Sequence, residues 1–435
     1  MLLIKRIHPA IFILVLLLQP LVTKSQTTDP PFIKYMDHPW VDSVLRSLDT
    51  EQRIAQTIWI AAYSNRDISH EVEISDLIRK YCPGGLIFFQ GSPGKQAELT
   101  NFYQSIAKVP LLISMDAEWG LGMRLQNVVR FPYQMTLGAI GNDSLIYQMG
   151  QAVAGQCRRM GVNVNFAPVA DINNNPGNPV INYRSFGENR ERVTRAAMMY
   201  MKGMQDNRVL ATLKHFPGHG DTDTDSHLDL PVISHSRSRL DTLELYPFRN
   251  LIHEGAGAVM TAHLNLPSLD PSSNLPSTLS SVIINDLLKG ELGFRGLVIT
   301  DAMNMKGVTK YFNPGEAEAR ALFAGNDVVE FVTDIDAAVV AVKKMLTEKK
   351  LTQADIDLKC RKVLAAKYWC GLNEISPVVE KEIEADLSSN WNIALIRNLY
   401  ANALTVINNN ENIIPVRDLD KTRIAVVSVN KSRSS

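Results

Sequence analysis

The sequence has few cysteines, no excess of charge of either sign, and no long apolar run beyond its amino terminus. Lys plus Arg and Asp plus Glu both number 45, so the formal net charge is zero and no overall field favours nucleic acid or an anionic membrane. The four cysteines show no CxxC spacing, which argues against a zinc site or a thioredoxin-like redox motif. Cys360 and Cys370 would lie about 15 Å apart in a shared helix, beyond the reach of a disulfide. Selectivity must therefore come from a local site.

The amino terminus has the pattern of a signal peptide over residues 1–25. Lys5 and Arg6 form a basic start, residues 11–18 form a short apolar core, and Ser25 is a small residue before a cleavage point. An uncleaved membrane anchor is the alternative, and it is disfavoured because the apolar run is shorter than the roughly 20 residues of a spanning helix. We therefore expect export to the periplasm or the extracellular space, with no stable membrane insertion after cleavage.

Short β-branched or apolar runs alternate with amphipathic helical stretches, as expected for parallel strands joined by helices. Eight such runs occur, and they predict a closed (β/α)8 barrel. In that fold the carboxyl ends of the strands form the floor of the active site, so polar side chains at those ends would face one pocket. The predicted strands are 57–62, 85–90, 111–116, 162–171, 210–216, 258–264, 297–301 and 327–331.

The barrel is predicted to cover residues 33–371. Its last helix begins near Ala354, where Thr352 can cap the first turn, and Gly371 is placed to end it. Helical and β-branched patterns at this end of the chain support an α/β fold class.

A composition change follows the barrel. Residues 372–390 are acidic and irregular, which indicates a linker or a connecting helix. A helical pattern over 392–404 and strand patterns over 405–408 and 423–429 then predict the truncated start of a second α/β domain, residues 391–435. A segment of that size cannot bury a full α/β core unaided.

The densest group of reactive side chains is the segment KHFPGHGDTDTDSH, residues 214–227, on a loop after the fifth predicted strand. A calcium loop starting at Asp221 would need Gly and Glu where Ser226 and Val232 stand, so the EF-hand interpretation is discounted. A zinc site and a solvated polar loop remain as alternatives, although the His spacing matches no regular zinc pattern. We favour a catalytic loop.

Two further motifs place charged side chains after strands. Asp301 directly follows an apolar strand in VITDAMNM, where neighbouring cations could keep it ionised as a nucleophile. Asp116 can accept hydrogen bonds from vicinal hydroxyls, while Arg124 and Arg184 offer forked donors, the groups that a sugar ring needs. Trp119 could give a pyranose an apolar face, and a buried packing role is the alternative.

These segments, spread over nearly the whole mature chain, resemble the family-3 glycoside hydrolases, and KHFPGHGDTDTDSH is similar to the signature of their β-N-acetylglucosaminidase branch. The resemblance implies that Asp301 is the nucleophile and that Asp225 and His227 form the catalytic pair. Two departures are Trp119, where the family usually has Gly, and Ala302, where an acidic residue is often seen. The resemblance also implies that five residues hold the sugar before the scissile bond: Asp116, Arg124, Arg184, Lys214 and His215.

The implied function is a retaining glycoside hydrolase, a β-N-acetylhexosaminidase, that removes terminal non-reducing β-linked N-acetylglucosamine through a covalent glycosyl-enzyme on Asp301. His227, oriented by Asp225, would be the general acid/base, since an imidazolium beside the nucleophile keeps it charged whereas a second carboxylate would raise its pKa. We expect a carbohydrate substrate, no cofactor, no metal and no nucleic acid partner. The alternatives are a β-glucosidase or β-xylosidase of the same family, whose members generally lack the DSH element, and an inactive carbohydrate-binding homologue.

Overall fold

The computed structural model describes residues 28–423 and 425. The predicted signal peptide, residues 1–25, lies outside the described residues, as does most of the predicted strand 423–429. Within the described residues, helices surround a curled parallel sheet. The predicted (β/α)8 class of fold is confirmed.

Seven strands form one parallel sheet in which each strand pairs with the next along the chain. The register is set by pairs such as Trp59 with Gly85 and Gly85 with Leu112. All seven coincide with predicted strands, although the fourth is much shorter than expected. Their bounds are β1 Trp59–Ala62, β2 Gly85–Phe88, β3 Leu112–Met115, β4 Val164–Asn165, β5 Leu210–Phe216, β6 Ala258–Thr261 and β7 Leu297–Thr300.

The eighth predicted strand, residues 327–331, closes the sheet through single bridges. Val328 bridges to Ile299 of β7, and Val329 bridges to Ile58 just before β1. The amide of Trp59 donates to the carbonyl of Val329 at 3.0 Å, so hydrogen bonds link the last segment to the first strand. The carboxyl ends of all eight segments consequently meet at one mouth of the barrel.

Helices occupy the connections between the strands, and several of them begin at a residue whose side chain caps the first turn. Thr352 caps the helix that begins at Gln353, as the sequence predicts, and forms a capping box with Asp355. Asp49 and Gln52 form another capping box at the helix that begins at Thr50. A π-helical segment, Val282–Glu291, lies between β6 and β7. The α-helices are α1 Pro39–Ser47, α2 Thr50–Ala55, α3 Ile68–Tyr81, α4 Pro93–Ile106, α5 Gln134–Gly138, α6 Asp143–Arg159, α7 Arg190–Gln205, α8 Arg237–Thr242, α9 Leu245–His253, α10 Lys306–Thr309, α11 Glu316–Ala324, α12 Ile335–Thr347, α13 Gln353–Trp369, α14 Ile383–Leu387 and α15 Asn390–Ala403.

Successive strand residues pack on opposite faces of the sheet. Trp59 and Leu112 belong to the apolar cluster within the barrel, which also includes Val363 of α13. Ile60 and Ile113 belong to the larger cluster between the sheet and the outer helices. This alternation follows from the two-residue period of a strand, and it fills both sides of the sheet with apolar side chains.

The segment after α13 differs in part from the prediction. Residues 383–387 and 390–403 are helical, and Leu387, Leu395 and Leu399 join the core cluster of the barrel. Residues 405–408, predicted as a strand, have no regular secondary structure and are exposed, so that strand prediction is wrong. In the described residues no neighbouring strand offers them backbone partners. The second domain over 391–435 stays a prediction.

Two further observations concern the cysteines and the helices that could cross a membrane. All four cysteines are free, and Cys360 lies inside α13 while Cys370 directly follows it, as expected from their spacing. Across residues 28–423 and 425, the structure contains no helix with the length and apolarity that a membrane crossing requires.

Candidate active site

A cavity of about 460 Å³ opens at the carboxyl ends of the strands. That volume is within the range of pockets that enclose small molecules. Seven of the eight residues predicted for the site line it: Asp116, Arg124, Arg184, Lys214, His215, His227 and Asp301. The eighth, Asp225, contacts His227.

An irregularity in β5 brings two consecutive side chains into this cavity. Neighbouring residues of a regular strand point to opposite faces, yet Lys214 and His215 both line the pocket. The register between β5 and β6 shifts between Leu213 and Phe216, which is the position of these two residues. The local distortion therefore redirects one of the side chains, as β-bulges do beside many active sites.

A buried ionic network covers one side of the cavity. Lys214 Nζ donates to Asp116 Oδ1 at 2.7 Å and lies 2.8 Å from Glu118 Oε1. Arg184 donates to Glu118 at 2.7 Å, and Arg124 donates to Asp116 at 2.5 Å. Burial alone would raise the pKa of Glu118, but Arg184 and Lys214 outweigh it and lower that pKa to about 2. Three cations are thus held in place by two ionised carboxylates.

Asp171 orients His215 from beneath the cavity. His215 Nδ1 lies 2.7 Å from Asp171 Oδ2, and the backbone amides of His215 and His219 also donate to this carboxylate, at 3.1 Å and 2.6 Å respectively. A carboxylate at Nδ1 keeps a proton on that nitrogen. Nε2 then faces Arg184, whose guanidinium lies 3.4 Å away.

Asp301 lies at the end of β7 and is held in an ionised state. Its backbone amide donates to the carbonyl of Thr261 at 2.9 Å, and its Oδ1 accepts from the amide of Ala302 at 2.8 Å. Burial favours the neutral carboxyl, but His215, His263, the Ala302 amide and Lys214 together lower the pKa of Asp301 below its ordinary value. A carboxylate in this state can act as a nucleophile at neutral pH.

His227 and Asp225 form a hydrogen-bonded pair on the loop at the rim of the cavity. His227 Nδ1 lies 2.7 Å from Asp225 Oδ1, which also accepts the backbone amide of His227 at 2.9 Å. The His227 side chain is 62% exposed. The bond at Nδ1 fixes the ring and leaves Nε2 as the nitrogen that can exchange a proton with a bound molecule.

A polar cluster at the base of this loop includes the residues in the described chain that approach a metal-binding geometry. Asp221, His235 and Glu244 place one ligand atom each within 4.8 Å of one another. Arg239 contacts both carboxylates, at 3.5 Å and 3.2 Å, so its guanidinium already supplies the positive charge that an ion would bring. We interpret the cluster as an ionic anchor for the loop.

Three aromatic rings lie beside the pocket. Trp119 and Tyr183 line the cavity, and Tyr133 packs against both, with ring centroids 4.7 Å from Trp119 and 4.6 Å from Tyr183. Trp119 is thus partly buried among rings and partly exposed to the cavity, while its role as an apolar face for a pyranose stays a prediction.

Sequence reasoning missed three carboxylates of the site. Asp171 ends the fourth predicted strand, 162–171, but its pairing with His215 was not predicted. Glu118 was not assigned either, although it is fully buried between Lys214 and Arg184. Glu330 also lines the cavity. A signal for Glu330 was present, because it is a charged residue near the carboxyl end of the eighth predicted strand.

The fold and the pocket together define a barrel with an ionised carboxylate and several hydroxyl-binding donors at its strand ends, and with a histidine–aspartate pair on the loop above them. Comparison with known families makes the assignment specific. A profile of the glycosyl hydrolase family 3 N terminal domain matches residues 49–366, and the chain belongs to this family of glycoside hydrolases.

Individual relatives are similar over different lengths. Beta-hexosaminidase A of Pseudoalteromonas piscicida is 38% identical over 279 residues, which cover 59% of this chain and 47% of that protein. The Beta-N-acetylglucosaminidase/beta-glucosidase of Cellulomonas fimi is 26% identical, with 91% of this chain and 71% of that protein covered. The chain therefore spans about half the length of the first of these relatives.

Solved structures show the same fold. A glycoside hydrolase family 3 beta-N-acetylglucosaminidase from Paenibacillus sp. str. FPU-7 superimposes with a TM-score of 0.76 at 37% identity, covering 82% of this chain and 69% of that one. Beta-glucoside phosphorylase BglX superimposes with a TM-score of 0.81 at 25% identity, covering 90% of this chain and 72% of that one.

Proposed function

We propose that the chain carries the catalytic site of a retaining β-N-acetylhexosaminidase that removes terminal non-reducing β-linked N-acetylglucosamine. The observation that carries the proposal is the convergence of Asp301 and His227 on one cavity that Asp116, Lys214 and Arg184 also line. The relatives named for N-acetylglucosaminidase or hexosaminidase activity support the choice of sugar. The DSH element, residues 225–227, supports it further.

The mechanism gives each of these groups a defined role. Asp301 attacks the anomeric carbon, and protonated His227 gives its Nε2 proton to the departing glycosidic oxygen. Neutral His227 then takes a proton from the water that attacks the glycosyl-enzyme ester, which frees Asp301 and restores the imidazolium. Asp225 holds the ring through Nδ1, and Lys214 with Arg124 and Arg184 orients the sugar hydroxyls together with their carboxylate partners.

Two other catalytic outcomes are kept as alternatives for specific reasons. The Cellulomonas fimi relative is named for glucosidase activity as well as N-acetylglucosaminidase activity, and BglX is named as a phosphorylase. A β-glucosidase or β-xylosidase would share the barrel and Asp301, while phosphate in place of water would resolve the same glycosyl-enzyme. An inactive carbohydrate-binding protein would keep the cavity without forming that ester.

The proposal extends to the place of action. The pattern of residues 1–25 supports export to the periplasm or the extracellular space. There a β-N-acetylglucosaminidase would meet peptidoglycan fragments, chitin oligomers or glycan trees. Comparing cell fractions for full-length and 26–435 forms of the chain tests this, since the shorter form is expected to stay in the cytoplasm.

The decisive experiment combines a substrate panel with trapping of the nucleophile. We expect turnover of 4-nitrophenyl β-N-acetylglucosaminide to exceed turnover of the β-glucoside and β-xyloside, and free N-acetylglucosamine to be the product whether or not phosphate is added. A 5-fluoro N-acetylglucosaminyl fluoride should leave a mass label on the peptide that contains Asp301. The label should be absent from the Asp301→Ala variant, which should lose at least about 1,000-fold in kcat. Preference for the glucoside, or labelling of another peptide, would contradict the proposal.

A further inference from the structure

Glu330 occupies a strictly defined position at the end of the segment that closes the barrel. Its backbone amide donates to Thr300 Oγ1 at 2.9 Å, and its carbonyl accepts from the amide of Met303 at 3.0 Å. The next residue, Phe331, has a φ of 56°, a left-handed conformation that is costly for an aromatic residue. Backbone contacts on both sides therefore fix where the Glu330 side chain begins.

The Glu330 carboxyl is buried and incompletely bonded. The residue is 2% exposed, lines the cavity, and its Oε1 makes no hydrogen bond to the protein. Buried polar atoms in native proteins are nearly always partnered, so an unpartnered atom that lines a pocket is available to a partner supplied by a ligand or by water. Arg124 Nε is a second buried atom of the cavity without a hydrogen bond.

Glu330 differs from the other carboxylates of the site in its surroundings. Asp116 and Glu118 each contact two cations, whereas no cation lies within salt-bridge distance of Glu330 in the described residues. Burial and the charges of Asp301 and Asp116 raise the pKa of Glu330 well above its ordinary value, although Lys214 and Arg124 act in the opposite direction. The raised pKa favours the uncharged acid, whose O–H can donate a hydrogen bond.

We propose that Glu330 is a specificity-determining residue that donates a hydrogen bond to a hydroxyl of the sugar in the cavity. The inference rests on the proposed function only in that the ligand is a hexopyranose seated over Asp301. A buried donor matched to one hydroxyl discriminates strongly against analogues that lack it, because the site's polar atom is then left unpaired. Glu330 would consequently select between sugars that differ at a single position.

The test compares three variants on a series of substrates. Glu330→Gln keeps an uncharged donor, and Glu330→Leu removes the donor. Glu330→Asp shortens the side chain by one methylene group and so moves the carboxyl away from the sugar. The substrates are 4-nitrophenyl β-N-acetylglucosaminide and its 4-deoxy and 6-deoxy analogues. On the parent substrate, Glu330→Leu and Glu330→Asp should lower kcat/KM by at least about 10-fold, mainly through KM, while Glu330→Gln should stay within about 3-fold of wild type.

The deoxy substrates distinguish the loss of one hydrogen bond to the sugar from structural damage to the site. On the analogue that lacks the contacted hydroxyl, wild type should lose its advantage over Glu330→Leu, and on the other analogue the two should differ as on the parent. Glu318→Gln is the matched control, since Glu318 is also buried but accepts from the Gly315 amide outside the cavity, and its KM should not change. Thermal denaturation identifies any variant that does not fold, and Glu330→Asp replaces Glu330→Leu in that case.

Equal kcat/KM for wild type, Glu330→Leu and Glu330→Asp on the parent substrate would overturn the proposal, and so would a loss of the same size on all three substrates. Failure of the proposed function has a different signature. If wild type prefers the glucoside, the N-acetylglucosaminidase assignment fails, and the same variants measured on glucoside deoxy analogues still decide the role of Glu330.

Discussion

Asp301 and His227 differ in exposure, and the difference suits their proposed roles. Asp301 is surrounded by groups that stabilise its negative charge, among them His215 and Lys214. His227 lies on a loop at the rim with its side chain 62% exposed. A nucleophile needs a fixed charge at one atom, whereas an acid/base must reach the leaving group and then an incoming water. The exposed position gives His227 that access.

The residue-level prediction concerns proton transfer. His227→Ala should lower kcat/KM by at least about 100-fold on an N-acetylglucosamine disaccharide, because an alkoxide leaving group needs the proton. On a 2,4-dinitrophenyl glycoside the loss should be less than about 10-fold in the glycosylation step, since that leaving group departs as a stable anion. Kinetics on both substrates with the same enzyme sample check this. Similar losses on the two would show that His227 is not the acid.

The residues recovered from the sequence are those whose chemistry is visible in a motif. Asp301, Lys214 and His215 directly follow or end apolar strands, so their common location could be predicted. Glu118 and Glu330 could not be assigned a role in this way, because each depends on which side chains other strands bring beside it. Pairing of Glu118 with Arg184, for example, joins residues 66 positions apart.

At the scale of elements, the loop after β5 shows why small residues occur where they do. Gly218 has a φ of 133°, and a Cβ at Gly220 would lie 1.8 Å from the carbonyl oxygen of Ile172. Glycines allow a loop backbone to move, which is one reason for their presence here. The structure adds a second reason, which is close packing of the loop backbone against the segment that follows the fourth predicted strand, where Ile172 lies. His219 is buried between these two glycines, and its Nε2 is hydrogen-bonded to Ser226 Oγ at 3.1 Å.

The element-level prediction follows from that packing. Gly220→Ala should displace the loop, lower kcat/KM on the disaccharide by more than about 10-fold, and destabilise the fold by about 1–3 kcal/mol, since the added methyl group overlaps a backbone oxygen. Gly155→Ala is the control, because a Cβ there meets nothing within 4 Å and the residue lies in α6. Activity and melting temperature of the two variants are compared. Loss of activity in both, or in neither, would contradict this account of the loop.

Strand positions were predicted more accurately than strand geometry. Every predicted barrel strand has a counterpart, since apolar runs such as 85–90 and 297–301 must be buried on both faces of a covered parallel sheet. The register shift at Lys214 and the single bridges of Val328 and Val329 were not predictable. They arise from closure of the sheet, which depends on strands far apart in the sequence.

At the scale of the whole molecule, the barrel core continues beyond residue 371. The acidic composition of residues 372–390 favoured a linker, because charged residues dominate the pattern there. The structure buries Leu387 and Leu399 of the following helices fully, while Trp391 and Tyr400 of α15 stay exposed. The predicted division into a barrel, a linker and a separate unit from residue 391 therefore depends on the cooperativity of unfolding. It holds only if α15 unfolds apart from the barrel.

The contacts of α15 favour unfolding with the barrel, and one substitution tests this. Leu399 is 0% exposed and belongs to the core cluster that also contains the barrel helices, so Leu399→Ala should cost about 2–5 kcal/mol and lower the midpoint of a single unfolding transition. Hydrogen exchange in α5 and α6, which α15 contacts, should rise in parallel. Leu404→Ala, at a position 82% exposed just after the helix, should change neither measurement. A separate early transition in Leu399→Ala, with the exchange of α5 and α6 unchanged, would instead show that α15 belongs to an independent unit. A helix whose loss of packing leaves the barrel unaffected is not part of the barrel core.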